Sequence, residues 1–101
     1  MIFQGRDELD YSDESVQNRV DEFNAWIREI EEHYVESNRL DLNGVDIKGE
    51  EGLITDGPFI EMKELIVGYV ILTADDLTVA TQIASSCPLK KYFNINLRAI
   101  L

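Results

Sequence analysis

Asp56 carries the carboxylate with the clearest potential for chemistry, because it opens the rigid run Asp56-Gly57-Pro58-Phe59. Asp bonds its own main chain in turns, Gly adopts unusual dihedral angles and Pro fixes the next φ. The run therefore predicts either a strand connection or the rim of a site. A carboxylate held there beside apolar groups can act as an acid or a base. The structural alternative is that Asp56 accepts hydrogen bonds from nearby backbone N–H groups and only fixes the turn.

Lys63 and Glu64 follow this turn closely and form a second polar pair. Glu64 is the candidate to assist Asp56 in catalysis, and Lys63 is a candidate to bind a polar group of a ligand. The alternative is that the two close an ion pair across a dimer.

Aromatic and small residues provide candidate walls for a ligand pocket. Such a pocket suits a flat small molecule, although the aromatic residues could equally belong to a core or dimer interface. Gly68 is either a packing glycine or a ligand contact. The candidate ligand-binding residues, besides Lys63, are Trp26, Gly57, Pro58, Phe59, Gly68 and Tyr69.

Neither a metal nor a cofactor is predicted. The single histidine, His33, lies among glutamates, but no third or fourth ligand follows at a defined spacing. The single cysteine, Cys87, precedes Pro88 and is typical of a small buried hydrophobe, with no histidine placed to activate it. The chain has no glycine-rich phosphate loop and no dinucleotide fingerprint.

The chain is acidic, and its charge excludes several classes of partner. Its 101 residues predict one domain, 1–101, and carry a formal net charge of −11. That charge argues against nucleic acid and against an anionic membrane surface. We expect a cytoplasmic protein, because no apolar run is long enough to span a membrane and no secretory signal begins the chain. The acidic excess indicates a solvated face or, alternatively, a docking face for a basic partner.

The hydrophobic pattern predicts two helices. One apolar stripe, with Ser12 as N-cap, recurs at spacings of three and four. Thr73 or Asp75 is expected to cap the second helix, which Pro88 ends. The stripe consists of Val16, Val20, Phe23, Ile27, Ile30 and Tyr34, with Trp26 beside it.

The same pattern predicts strands around these helices. A short strand begins the chain, and residues 66–72 form a central strand covered on both faces, in which Gly68 marks a bulge or a close approach. Alternation from Phe93 to Ile100 predicts a final strand. Residues 35–52 suggest short extended pieces on either side of a turn at Asn43-Gly44, followed by a loop over 48–52.

This order predicts an α+β, ferredoxin-like sandwich with both helices on one sheet face. The opposite face stays uncovered in a monomer. We therefore expect a homodimer in which the two sheets pack together.

The run from Thr55 to Glu64 (TDGPFIEMKE) resembles the YCII-related, or DGPF-domain, family. The likeness continues through 66–72, through Ala74 to Leu77 and through Ser86 to Pro88, and so covers essentially the whole chain. The resemblance implies a ferredoxin-like fold that dimerises into an α+β barrel, with a cleft near Asp56. It also implies several more residues ahead of the position of Met1, so we expect a truncated first strand: either the start is misplaced or the protein has a three-residue edge strand.

The resemblance leaves three functions open. The first is an uncharacterised, homodimeric domain that binds a small ligand in the cleft. The second is an enzyme on small ring compounds, similar to dehydrochlorinases, with Asp56 as acid or base. Enzymatic relatives place a histidine in the middle of the first helix, where this chain has Phe23 to Trp26. The third is a regulatory interaction module, because some relatives occur with sigma factors.

Overall fold

A computed structural model describes residues 1–6, 9–50, 52–56 and 65–101, and only the backbone of 53–56. The main elements are two helices and six strands within these ranges. A 3-10 helix over Pro88–Lys91 precedes the last strand. The elements are β1 (Ile2–Gln4), α1 (Asp13–Glu29), β2 (Tyr34–Arg39), β3 (Val45–Lys48), β4 (Leu53–Asp56), β5 (Ile66–Leu72), α2 (Leu77–Ser85) and β6 (Asn94–Asn96).

Four strands form an antiparallel sheet in the order β2-β5-β1-β6. This α+β arrangement, with one helix after β1 and one after β5, is compatible with the predicted ferredoxin-like fold. The strands β3 and β4 pair separately as a hairpin between β2 and β5. No helix in the described part of the chain is long and apolar enough to cross a membrane.

Local chemistry fixes the start of α1 as predicted. The Ser12 Oγ accepts from the Ser15 backbone N–H at 3.4 Å, and Asp10 accepts from both the Ser12 backbone and the Ser15 hydroxyl. The predicted extension of the helix to Tyr34 is wrong. Acidic residues at 29, 31 and 32 oppose the negative end of the helix dipole, and Tyr34 instead begins β2, where it pairs with Leu72.

Gly68 lies at a bulge and at a close approach between strands, as its place in the apolar run predicted. The register between β1 and β5 shifts after Phe3, which pairs with Gly68, while Gln4 pairs with Ile66. A Cβ atom on Gly68 would lie 3.0 Å from the carbonyl oxygen of Asn38. Glycine is therefore needed where β2 passes β5.

The core lies between the sheet and the two helices, on one face only of the described sheet. Paired residues share a face, so Phe3, Gly68 and Ile95 face the helices, while Ile2, Tyr69 and Asn96 face the opposite side. On that opposite side Ile66 is 44% exposed while Ile2 and Tyr69 are half-buried, so the described residues cover this face of β5 only in part. The buried core comprises Met1, Phe3, Trp26, Ile30, Val67, Val70, Ala84, Cys87 and Leu89.

Three boundaries differ from the sequence predictions. Asp76, rather than Thr73 or Asp75, caps α2, since its Oδ1 accepts from the Val79 backbone N–H at 2.9 Å. The strand β6 ends at Asn96, because its partner β1 is only three residues long. Asn43-Gly44 is not a hairpin turn.

The β3–β4 hairpin turns instead through the predicted loop over 48–52. Gly49 and Gly52 adopt φ values of 76° and 64° there. This left-handed region favours glycine.

Candidate ligand-binding cleft

A cleft of about 820 Å³ lies between α1 and the sheet. Most of its wall is apolar, because α1 contributes part of its buried stripe and the sheet contributes β1 and β5, while β2 and the segment after it add the polar residues Ser37, Asn38, Arg39 and Asp41. Arg19 supplies a cation to this apolar space. The apolar and aromatic lining residues include Phe3, Val16, Val20, Phe23, Val67, Leu89 and Phe93.

Arg19 is buried at 7% exposure although it carries a charge. Its Nη1 donates to the main-chain oxygen of Asp10 at 2.8 Å. The guanidinium carbon also lies 5.6, 5.7 and 5.8 Å from the ring centroids of Tyr11, Tyr92 and Phe93. Aromatic rings at these distances attract a cation electrostatically, which offsets part of the cost of burial.

A second, polar cavity of about 390 Å³ opens on the other side of Arg19. It lies where the segment before α1 meets the 3-10 helix. Arg19 is the one described residue that lines both cavities. The polar and charged residues of the second cavity are Arg6, Asp10, Ser15, Asn18, Arg19, Lys91 and Tyr92.

Arg6 forms hydrogen bonds with the main chain of the turn that bears Tyr92 and Phe93, two of the aromatic residues around Arg19. Its Nη1 donates to the Lys91 carbonyl oxygen at 2.9 Å, and its Nη2 donates to the Lys90 and Phe93 carbonyl oxygens at 3.1 and 3.2 Å. These carbonyls have no helical partner at the end of the 3-10 helix. Arg6 therefore positions Tyr92 and Phe93 against Arg19.

Glu22 joins α1 to the same turn. One carboxylate oxygen pairs with Lys91 Nζ at 3.0 Å, and the other accepts from the Tyr92 hydroxyl at 2.8 Å. These contacts lower the pKa of Glu22, with the Lys91 bond as the largest cause. The same bond raises the pKa of Lys91.

Among the predicted ligand-binding residues, Trp26 and Tyr69 lie in different places. Trp26 is 1% exposed, lines neither described cavity, and donates from Nε1 to Ser86 Oγ at 2.8 Å. Tyr69 is half-buried on the sheet face opposite the helices, where its hydroxyl accepts from Asn38 Nδ2 at 2.9 Å. Gly68 and Tyr69 are both among the residues that line the cleft. Ligand binding by these residues stays a prediction.

The candidate acid–base residues fall largely outside the described residues. The backbone of Asp56 ends β4 opposite Val45, but its side chain is not described. Gly57, Pro58, Phe59, Lys63 and Glu64 also lie outside the described residues. Catalysis by Asp56 and Glu64 stays a prediction.

The single cysteine and the single histidine both lie where their contacts are with the protein itself. Cys87 is fully buried as expected, and burial raises the pKa of its thiol to about 11. His33 Nδ1 lies 3.0 Å from the Thr73 carbonyl oxygen. Within the described ranges, no group of three or more His, Cys, Asp or Glu residues could hold a metal ion.

Arg19 was not among the site residues predicted from sequence, although a signal for it was present. Residues 16, 19, 23, 26 and 30 follow spacings of three and four, so position 19 lies within the apolar stripe of α1. A charged residue on the buried face of a helix requires a compensating partner. That mismatch marks Arg19 as a candidate site residue.

Comparison with known proteins supports the resemblance seen in the TDGPF run. A search of curated proteins found no match. The family model of the YCII-related domain matches residues 8–99, which is nearly the whole chain.

Proposed function

This chain belongs to the YCII-related domain family, and from that premise we propose that it is a small-ligand binding domain. The single observation that supports this proposal is the cleft of about 820 Å³ between α1 and the sheet. A predominantly apolar cleft with a few polar groups is the usual form of a small-molecule site. The volume is also within the range that such sites occupy.

The experiment is a titration of the isotope-labelled protein with small aromatic and aliphatic compounds, followed by amide NMR spectra. We expect shifts at the amides of Val20, Phe23 and Gly68, which line the cleft. Val16→Phe fills the cleft and should abolish the shifts. The control is Val35→Phe, because Val35 is 52% exposed and lines neither described cavity. Shifts that survive Val16→Phe unchanged contradict the proposal.

We also propose that two copies associate through the sheet face opposite the helices. Ile2, Tyr69 and Ile66 share this face by the strand register, and Ile66 is 44% exposed. A second copy packed sheet to sheet removes this apolar surface from water. Light scattering tests the proposal by the mass in solution: twice 11.6 kDa supports it, and 11.6 kDa contradicts it.

A further inference from the structure

Arg19 is a buried cation that forms no ion pair or side-chain hydrogen bond with an acidic residue among the described residues, although the nearby Asp10 carboxylate interacts with it electrostatically. The described ion pairs join Lys48 to Asp46 and Lys91 to Glu22. The nearby Asp10 carboxylate instead accepts from Ser12 and Ser15, while Arg19 reaches only the main-chain oxygen of Asp10. Charged side chains are seldom this buried without a counter-charge. An anion that binds beside Arg19 would therefore supply the counter-charge that the described residues do not.

Most of the hydrogen-bonding capacity of Arg19 is also unused. A guanidinium has five N–H donors, and the described residues accept from Nη1 alone. No described side-chain nitrogen or oxygen is both sealed from solvent and unpaired, so Nε and Nη2, which have no described acceptor, retain contact with solvent, and Arg19 lines both cavities. The parallel N–H groups of Nε and Nη2 form the fork that binds a carboxylate through two hydrogen bonds.

The neighbouring cations have partners of their own. Arg6 donates to three main-chain carbonyl oxygens, and Lys91 pairs with Glu22. Both nonetheless add positive charge to the polar cavity, where Asp10 is the one described acidic residue. An anion at Arg19 therefore meets a locally positive site in a chain whose net charge is −11.

The apolar cleft beside Arg19 limits what else the ligand contains. Phe3, Val16, Phe23 and Val67 offer contact area but no hydrogen bonds from their side chains. Arg39 and Asp41 also line the cleft, but both are exposed, so Arg19 is the one buried charge among its described lining residues. A ligand with an apolar body and one terminal acid group matches this distribution, because its body contacts apolar side chains and its acid group contacts Arg19.

We infer that the cleft binds a small organic carboxylate, with its apolar body between α1 and the sheet and its carboxylate on the Nε–Nη2 edge of Arg19. This inference deepens the proposed function and rests on it. The rings of Tyr11, Tyr92 and Phe93 hold the guanidinium in place, while Arg6 secures the turn that bears two of them.

The test compares a carboxylate with its neutral isostere, using hydrocinnamate, hydrocinnamamide and the corresponding pair formed by octanoate and octanamide. We expect the acids to bind at least about tenfold more tightly than the amides, because hydrogen bonds to a charged group exceed neutral ones. Titration calorimetry gives the affinities. The NMR signal of the Arg19 Nε–H should shift with the acids and not with the amides.

Three variants isolate the role of Arg19. Arg19→Met removes the charge and should reduce the acid-to-amide affinity ratio to about one, whereas Arg19→Lys keeps the charge but loses the fork and should give an intermediate ratio. Arg28→Met is the matched control, because Arg28 is an exposed cation of the same helix that lines neither described cavity. If Arg19→Met does not fold, the acid–amide comparison and the Nε–H signal in the unmodified protein still decide the matter.

The outcomes separate this inference from the proposed function. Equal binding of acids and amides, without a shift of the Arg19 Nε–H, overturns the inference but leaves the cleft as a binding site. A tenfold preference for the acids that survives Arg19→Met also overturns it. If no compound of either kind perturbs the cleft at millimolar concentration, both the inference and the proposed function fail.

Discussion

At the scale of single residues, the sequence predicts a turn carboxylate, Asp56, as the main candidate site residue, whereas the described structure identifies a buried cation, Arg19. Asp56 was identified from the local rules of turn chemistry, which act over a few neighbouring residues. Arg19 gains its significance from Asp10, Tyr11, Tyr92 and Phe93, two of which are distant in sequence. Such a cluster arises only through the fold, so the helical spacing carried a signal for the burial of Arg19, which was missed, and no signal for its surroundings.

The hydrogen bond between Trp26 and Ser86 provides a test at this scale. Ser86→Ala removes the acceptor of the buried indole N–H. We expect the free energy of unfolding to fall by about 1 kcal/mol, because the lost bond is only partly replaced by water. Urea unfolding measures the change.

Ser85→Ala is the control, since Ser85 is an exposed neighbour and the acceptor of the Trp26 indole N–H is Ser86. Equal stability of the two variants contradicts a contribution from the Trp26–Ser86 bond.

At the scale of elements, the long patterns were informative and the short ones were not. The stripe of α1 and the apolar run of β5 each contain enough residues for their periodicity to be clear. Between them, β2 carries Glu36, Ser37 and Asn38, which have little strand character of their own. Its pairing with β5 decides its conformation, and that pairing is not visible in local sequence. The 3-10 helix that holds Arg6 was missed for the same reason.

The passage of β2 beside β5 depends on the absence of a side chain at position 68. Gly68→Ala places a Cβ atom 3.0 Å from the Asn38 carbonyl oxygen and 3.5 Å from Arg39 Cα, both of which are backbone atoms of a paired strand. Neither can move cheaply, so we expect a loss of about 1–3 kcal/mol in unfolding free energy. Thermal and urea unfolding both report this loss.

Gly44→Ala is the matched control, because no atom lies within 4 Å of its added Cβ. A similar loss in both variants shows that the close approach is not the cause.

The contact of α1 with the 3-10 helix should respond to pH. The Lys91 and Tyr92 bonds lower the pKa of Glu22 in the folded protein. A carboxyl group whose pKa is lower in the folded than in the unfolded protein stabilises the fold at pH values above its unfolded-state pKa. This contribution is lost as the pH falls through its folded-state pKa. Glu22→Gln should therefore reduce Tm by no more than a few degrees at neutral pH, and less as the acid is titrated.

Glu29→Gln is the control, because Glu29 is an exposed acid of the same helix. Calorimetry between neutral and acidic pH compares the three proteins. A Tm difference for Glu22→Gln that persists unchanged below the range of Glu22 titration rules out the ionised contact as its source.

At the scale of the whole molecule, the two faces of the sheet predict how copies associate. The helices cover one face, while Ile66 is 44% exposed on the other. Ile66→Lys places a charge on this open face and should shift the equilibrium towards monomers, because a lysine that is desolvated between two sheets is costly. Light scattering across a concentration series measures the shift.

Leu77→Lys serves as the control, since Leu77 is 66% exposed at the start of α2, on the layer of helices. It should leave the mass unchanged. If Leu77→Lys dissociates the protein and Ile66→Lys does not, the proposed interface lies on the wrong face.

The Arg6 contacts have a consequence for the order in which the chain folds. They join residues 84 to 87 positions apart in sequence, whereas α1 forms from contacts within each turn. Closing so long a loop carries a large entropic cost, so contacts of this kind form slowly. We therefore expect the surroundings of Arg19 to assemble late in folding, after the helix that carries it.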